Sequence, residues 1–474
     1  MKAPALSGAA GIVALALLAL LALPLLWGAA VRMLALLRYP YPQDGLEGTL
    51  LHEARLLWAG EPLYQPLERG RFVSAPYPPL HPLLLGFANQ FAGPHVFWSG
   101  RLLSLVAALS VAALIVLIVR RAGGTWLGGL LGTSIFLSAP PVLLWSTRVK
   151  PDLTALLWTA LGLWFAQRSL ALTSDEGRRT KDERQRWFFV RPLALWAALA
   201  AATVFALWPA LWASPLQAYA QLQVGVAIEG AQPHMLGNFF LGREDDAPGM
   251  LFYPLALVLR LTPWTLLGLL LLPIAWHRMR ALAPARRDLA LLALYVIVFV
   301  AAMSVFPKKF NRYIEPVFPA LDILAAVGLL GVGGWGLGVG RLLGRESPIA
   351  GRPALSLSKG RSSVAIGLVG TITVVAIANI AFWHPYEIAA YNQALGGARA
   401  GAHAFLTGWG EGLEQAADWL NQQPDITGVR VATTQPGALQ PYMRDGAQAV
   451  AASDQLPDHT GYLVVYVRST QGLV

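Results

Sequence analysis

Long apolar runs alternate with short polar clusters along most of the chain. The first run, "GAAGIVALALLALLALPLLWGAAVRMLALL", is longer than a signal-peptide core of roughly 7–15 residues. A membrane anchor of about 20 residues fits it better. Further spanning helices are expected near 102–119, 125–144, 152–167, 193–213, 251–276, 289–306, 314–340 and 363–383, about nine spans in all. Pro140, Pro141 and Pro151 break the segment 125–167 and Pro263 breaks 251–276, so these segments can be counted differently. Beyond about residue 384 the pattern changes. "GLEQAADWLNQQ" has helical spacing, "GVRVATT" and "GYLVVYVRS" alternate like strands, and Gly, Pro and Asp punctuate them. The expected fold class is an all-α polytopic membrane domain, 1–383, with a small α/β domain, 384–474, outside the membrane.

The basic residues set the orientation. "RR" at 120–121, "RRTKDERQR" at 178–186, "HRMRALAPARR" at 277–287 and "RLLGRESPIAGRPALSLSKGRSS" at 341–363 lie in alternate loops, which the positive-inside rule places in the cytoplasm. The N-terminus is then cytoplasmic. The loops 38–100, 139–151, 214–250 and 306–313 face outward, as does the tail, and the location is a cell (inner) membrane. The low-complexity "RPALSLSKGRSS" reads as a disordered insertion, and the Gly-rich "GVGGWGLGVG" at 331–340 as close helix packing.

Composition agrees. The chain is 55% hydrophobic and 13% charged with a mean hydropathy of +0.51, against about 25% charged in soluble domains. The net charge of +10 comes from dispersed clusters and not from one basic stripe, which argues against nucleic acid. Cysteine is absent and the eight histidines are scattered without an HExxH pair, so no metal or cofactor is implied.

Ionisable residues gather on the outward loops. In "YPYPQDGLEGTLLHEARLLWAGEPLYQP", Asp44 and Glu47 form a capping-box pattern for a helix running to about Trp58. Leu50, Leu51, Ala54, Leu57 and Trp58 share one face, which suits a helix lying on the membrane interface. A carboxylate at this boundary also suits a general base, and a capped helix start is a rigid mount. Tyr77 and His81 in "PYPPLHP" either line a pocket or belong to a stiff turn. Arg148 and Lys150, next to Asp152 at a helix start, either contact headgroups or cradle a phosphate. Lys308, Lys309 and Arg312 oppose the charge trend, and such a placement calls for an anionic partner.

Taken in order, these stretches resemble the C-type (GT-C) membrane glycosyltransferases, in particular bacterial members of glycosyltransferase family 39, within the superfamily of protein O-mannosyltransferases and aminoarabinose transferases. The resemblance runs through "QDGLEGTLLHEARLLWAGEPLY", "YPPLHPLLLGF", "GRLLSLV", "RVKPDLTALLWTALGLWFA", "FALWPALWASPL", "HMLGNFFLG", "FYPLALVLRLTPWTLLGLLL" and "KKFNRYIEPVFPALDILAAVGL". It ends with "HPYEIAAYNQALGGARAGAHAFLTGWGEGLEQAADWL", so that it covers most of residues 35–420. It implies a GT-C fold and a sugar donor carried on a polyprenyl phosphate. The active site would face outward, and Asp44 or Glu47 would deprotonate an acceptor hydroxyl with inversion at the anomeric carbon. Relatives often carry adjacent acidic residues, whereas Gly45 and Leu46 separate this pair. Arg148, Lys150, Lys308, Lys309 and Arg312 would hold the donor phosphate, and Tyr77, His81, Asp152 and His234 would line the substrate pocket. The partners implied are the donor lipid, a lipid, glycan or protein acceptor, and membrane lipids. The rival classes are a transporter or flippase for lipid-linked sugars and a non-catalytic scaffold. Few charges inside the spans, Arg32 and Arg260 being the clearest, and the lack of a half-to-half repeat disfavour transport.

Overall fold

A computed structural model of the chain describes residues 8–43, 46–63, 77–91, 96–122, 124–177, 194, 198–199, 201–206, 208, 210–233, 237–278, 283–332, 359–453 and 455–471. Among the described residues, helices occupy the expected apolar runs, beginning with Gly8–Arg38. Among the described residues four helical stretches are long and apolar enough to cross a membrane: Trp98–Arg121, Arg286–Val305, Asn311–Gly331 and Ala365–Trp383. The number rises to six if two bent pairs are each one span. In one of these pairs, Trp126–Leu137 meets Pro140–Ser146 at 72°. Pro140 and Pro141 lack N–H donors and start a new helix instead of continuing the old one. The other pair, Phe252–Arg260 and Pro263–His277, is likewise separated just before a proline.

The chain divides into two compact units. The first comprises residues 1–225, 262–299 and 315–382. Its closest helix packing joins Pro263–Arg278 to Phe318–Val332. A Cβ on Gly268 would lie 2.3 Å from the Ala325 carbonyl oxygen, and one on Gly328 only 1.9 Å from that of Gly268. Backbones this near require glycine at the crossing. Gly331, the first residue of the Gly-rich stretch, also faces a neighbour: a Cβ there would come 2.5 Å from the Ala275 Cβ. The rest of that stretch from 333 lies outside the described residues. Inside this helix pair, Thr265 donates to Asp322 at 2.9 Å, a buried carboxyl within an apolar span that the charge pattern had not singled out.

The second unit comprises residues 226–261, 300–314 and 383–474. Its larger sheet is three parallel strands in the order Gln448–Ala451, Arg430–Thr433, Thr460–Val464. Val431 of the central strand is fully buried with Leu413, Ala417 and Leu420 of the helix Leu413–Leu420 and with Ile426 and Leu439. The helix and the two outer-sequence strands match their periodic signals. Gln448–Ala451 is an additional strand: "QAVA" is alanine-rich, with weak intrinsic strand preference, and pairing with the central strand supplies the difference.

Two other expectations are corrected. The stretch 214–250, expected as a loop, contains the helix Pro215–Ala231, which exposes Leu216, Tyr219, Leu222, Val224 and Ile228. Such an exposed apolar face suits a lipid interface. The "KGRSS" assigned to the low-complexity insertion forms the first turn of the helix Lys359–Trp383.

Candidate functional site

The acidic first loop is built around one ion pair in the first unit. Its helix starts at Glu47 with Leu46 as the cap, whose apolar side chain makes no capping hydrogen bond. Glu47 is therefore the first helical residue and not the third, which replaces the capping box expected from Asp44; Asp44 itself lies outside the described residues. The helix Glu47–Trp58 does not present its apolar face to a membrane interface. Leu50, Leu51 and Ala54 are buried with Leu85 and Val149, and Trp58 lies over the helix Leu80–Asn89, donating from its indole to the Leu83 carbonyl at 3.1 Å.

Glu47 and Arg101 are both completely buried. The guanidinium donates to Glu47 through Nε at 3.1 Å and Nη2 at 2.8 Å, a bidentate charge-assisted pair. Its remaining donors reach the carbonyls of Leu36 at 3.1 Å, Tyr39 at 2.6 Å and Tyr41 at 2.7 Å. Glu47 also accepts from the backbone N–H of Gln43 at 2.6 Å and of Val149 at 2.8 Å. The carboxylate thus receives four hydrogen bonds. Two consequences follow: the segment leading into Asp44 is clamped from several sides, and the acidic first loop is tied to the Arg148–Lys150 segment. Ser104 strengthens that tie by donating to the Arg148 carbonyl at 2.7 Å.

The cations of this segment differ in exposure. Arg148 is half-buried and Lys150 is 1% exposed. The Arg148 guanidinium lies 5.8 Å and the Lys150 ammonium 5.7 Å from the Trp145 ring centroid. Asp152, half-buried, opens the helix Asp152–Gly177 as expected. Tyr77 packs against the Leu50–Leu85 cluster.

His81 is buried and held by chemistry that fixes its tautomer. Thr154 gives its one hydroxyl proton to the Pro151 carbonyl at 2.8 Å. Its contact with His81 Nδ1 at 3.3 Å then requires Nδ1 to be the donor. Nε2 is left as a buried acceptor with no hydrogen-bond partner among the described residues. Burial lowers the His81 pKa from 6.5 to about 4, so the ring is neutral at physiological pH. His234 lies outside the described residues.

The second unit holds Lys308, Lys309 and Arg312. Lys309 is 1% exposed, and its ammonium donates to the Ser304 carbonyl at 2.6 Å and lies 5.6 Å from the Tyr253 ring centroid. Asn238, buried in the "GNFFLG" stretch, donates to the Lys309 carbonyl at 3.0 Å. Burial pulls the Lys309 pKa below its ordinary value. Lys308 and Arg312 are half-buried, and the Arg312 guanidinium lies 5.1 Å from the Phe310 ring centroid. In the same unit Arg260 donates to the carbonyls of Ile388 and Ala390 at 3.0 and 3.1 Å and to the Tyr391 hydroxyl at 3.0 Å. This fastens "HPYEIAAYNQ" to the helix Phe252–Arg260.

Sequence reasoning had no role for Arg101, Asn238 or Tyr253. Arg101 carried one usable signal: a lone cation in the first turn of an apolar helix needs a buried anion or carbonyls. Among the described residues no group of three His, Cys, Asp or Glu side chains is placed to hold a metal ion.

No protein-family model and no curated protein matches the chain. Among solved structures it is similar to ArnT from Cupriavidus metallidurans in the apo state, with 14% identity over 91% of this chain and 86% of that one and a TM-score of 0.49. It is also similar to ArnT from Cupriavidus metallidurans bound to undecaprenyl phosphate, with 16% identity over the same shares and a TM-score of 0.43.

Proposed function

We propose that this chain is a GT-C membrane glycosyltransferase that transfers a sugar from a polyprenyl-phosphate donor to a hydroxyl of a lipid, glycan or protein acceptor. The reaction takes place on the extracytoplasmic face, with inversion. The observation that carries the reading is the Glu47 carboxylate joining the acidic first loop to the Arg148–Lys150 segment. Residues of opposite charge, far apart in sequence, are drawn together beside the stretch that resembles the family's acidic motif.

In this reading Asp44 is the base. It takes the proton of the acceptor hydroxyl as that oxygen attacks the anomeric carbon. The bond from that carbon to the phosphate oxygen breaks, its electron pair stays on the phosphate, and polyprenyl phosphate leaves. Arg148, Lys150, Lys308, Lys309 and Arg312 stabilise the leaving group's charge. Glu47 is unsuited to the proton transfer because four hydrogen bonds already occupy its oxygens. It and Arg101 act as positioning residues for the base. Tyr77, His81, Asp152 and His234 belong to the substrate pocket.

The test is transfer by the purified full chain in detergent, supplied with undecaprenyl phosphates carrying different sugars. Asp44→Asn is expected to lower the rate by about 10²–10⁴-fold while leaving the protein folded. Near-wild-type transfer by this variant would remove Asp44 from the mechanism, and vesicle uptake of the lipid without transfer would favour the flippase. Topology is checked separately in the cysteine-free chain. A Gln422→Cys variant should react with an impermeant maleimide only from the extracytoplasmic side.

A further inference from the structure

The stretch "TGWGEG" at 407–412 has no part in the proposed chemistry, yet its backbone is unusually constrained. Gly408, Gly410 and Gly412 adopt φ values of +95°, +103° and +82°, all in the left-handed region that disfavours side chains. Each alternate residue is therefore obliged to be glycine, and between them stand Trp409 and Glu411. A Cβ on Gly408 would come 2.6 Å from the Tyr466 ring, and one on Gly410 would come 3.1 Å from the Ala438 Cβ. The loop is also pinned by hydrogen bonds. Glu411 accepts from the Trp409 backbone N–H at 2.5 Å and from the Tyr466 hydroxyl, and that hydroxyl accepts from the Gly410 N–H at 3.0 Å. Gln471 takes the Thr407 N–H at 3.0 Å and anchors itself on the Ala402 and Phe405 carbonyls at 2.6 and 2.8 Å.

This framework displays an indole that is 52% exposed. Trp409 stands edge-on to Phe310, with ring centroids 5.8 Å apart at 85°. Phe310 follows Lys309 directly and carries the Arg312 guanidinium on its face. A half-exposed aromatic surface on a rigid loop thus lies beside the basic segment assigned to the donor phosphate. A hexose or pentose is held mainly by the C–H groups of one ring face packing on an aromatic plane, while its hydroxyls find polar partners. A platform one sugar away from a phosphate site is where such a plane is needed.

We infer that Trp409 is the stacking platform for the sugar of the lipid-linked donor, held in place by the glycine-spaced loop with Glu411 and Tyr466. This deepens the proposed function and rests on it. The platform recognises the sugar and leaves the phosphate and lipid to other residues, so it contributes to donor affinity and not to proton transfer.

The experiment measures binding to the full chain in detergent of undecaprenyl phosphate and of undecaprenyl phosphates carrying glucose, mannose or 4-amino-4-deoxyarabinose. For wild type, at least one sugar-bearing lipid should bind more tightly than the bare lipid. Trp409→Ala should weaken that sugar-bearing lipid by about three- to ten-fold and leave the bare lipid unchanged, and Trp409→Phe should retain most of the affinity. Because the side chain is half-exposed, the Ala variant is expected to keep the wild-type Tm. Equal losses for both lipids would make Trp409 a membrane anchor, and unchanged affinities would make it a bystander; either result overturns the platform. Wild-type protein that binds none of these lipids would overturn the proposed function itself, before any variant is made.

Discussion

Arg101 and Lys309 are 0% and 1% exposed, and the two units accommodate these buried cations in opposite ways. Arg101 meets a carboxylate twice and three backbone carbonyls, so every direction of its planar fork is used. Lys309 has one carbonyl partner, Ser304, and the face of Tyr253, and among the described residues no carboxylate lies within ion-pair distance. The first arrangement spends its charge on architecture, holding the acidic loop to its neighbours. The second leaves an ammonium without a counter-charge among the described residues, which under the proposed function the donor phosphate would supply. Burial alone therefore does not separate a structural cation from a binding one; the partner set does.

The largest effect is expected at the first site. Arg101→Ala strands Glu47 without its counter-charge, and removing one member of a buried pair costs about 3–5 kcal/mol. Thermal unfolding in detergent should show a severe loss of stability or no folded protein. A variant with wild-type Tm would show that Glu47 is neutral or hydrated, and the contrast with Lys309 would collapse.

His81 sharpens the comparison as a buried group kept uncharged. Its folded pKa of about 4 lies below the 6.5 of the free ring. Its contribution is thus complete above pH 6.5 and is lost as pH falls toward 4, where the unfolded chain binds the extra proton. The span corresponds to about 3 kcal/mol at most. Stability measured from pH 7 to 4 should fall more steeply in wild type than in His81→Phe. Parallel curves would mean that the ring takes up a proton in place.

The smallest stability effect is expected for Lys309→Met, which keeps the apolar stem and removes a charge that has no counter-ion among the described residues. Unfolding should change by less than about 1 kcal/mol, because no buried anion is left behind. Undecaprenyl phosphate affinity should nevertheless fall about ten-fold, the scale of one charge-assisted hydrogen bond. Collapse of stability comparable to Arg101→Ala would assign Lys309 to architecture as well.

Much of the scaffold was legible in the chain. Among the described residues the apolar runs are helices, and Pro140 with Pro141 breaks one of them, because helix length and proline geometry are local properties. "GLEQAADWL" and the strands at 430–433 and 460–464 were legible for the same reason. "QAVA" was not, since an alanine-rich strand exists only through its pairing with Arg430–Thr433. The acidic loop was half legible. The sequence marked Asp44 and Glu47 as one pair, with their capping role and their catalytic role both open.

By itself, then, the sequence determined the solvent of this protein, the location of most of its helices and the stretches where ionisable groups gather. All of these follow from the chemistry of neighbouring residues. Only the tertiary structure decided which charges are consumed. Glu47 is separated by 54 residues from Arg101 and by 102 from Val149, and no local pattern records that they meet. The tautomer of His81, the inward turn of Lys309 and the rigid display of Trp409 likewise depend on partners brought close through space. Folding supplies those partners, because a buried polar group is stable only where packing delivers the matching donor, acceptor or charge.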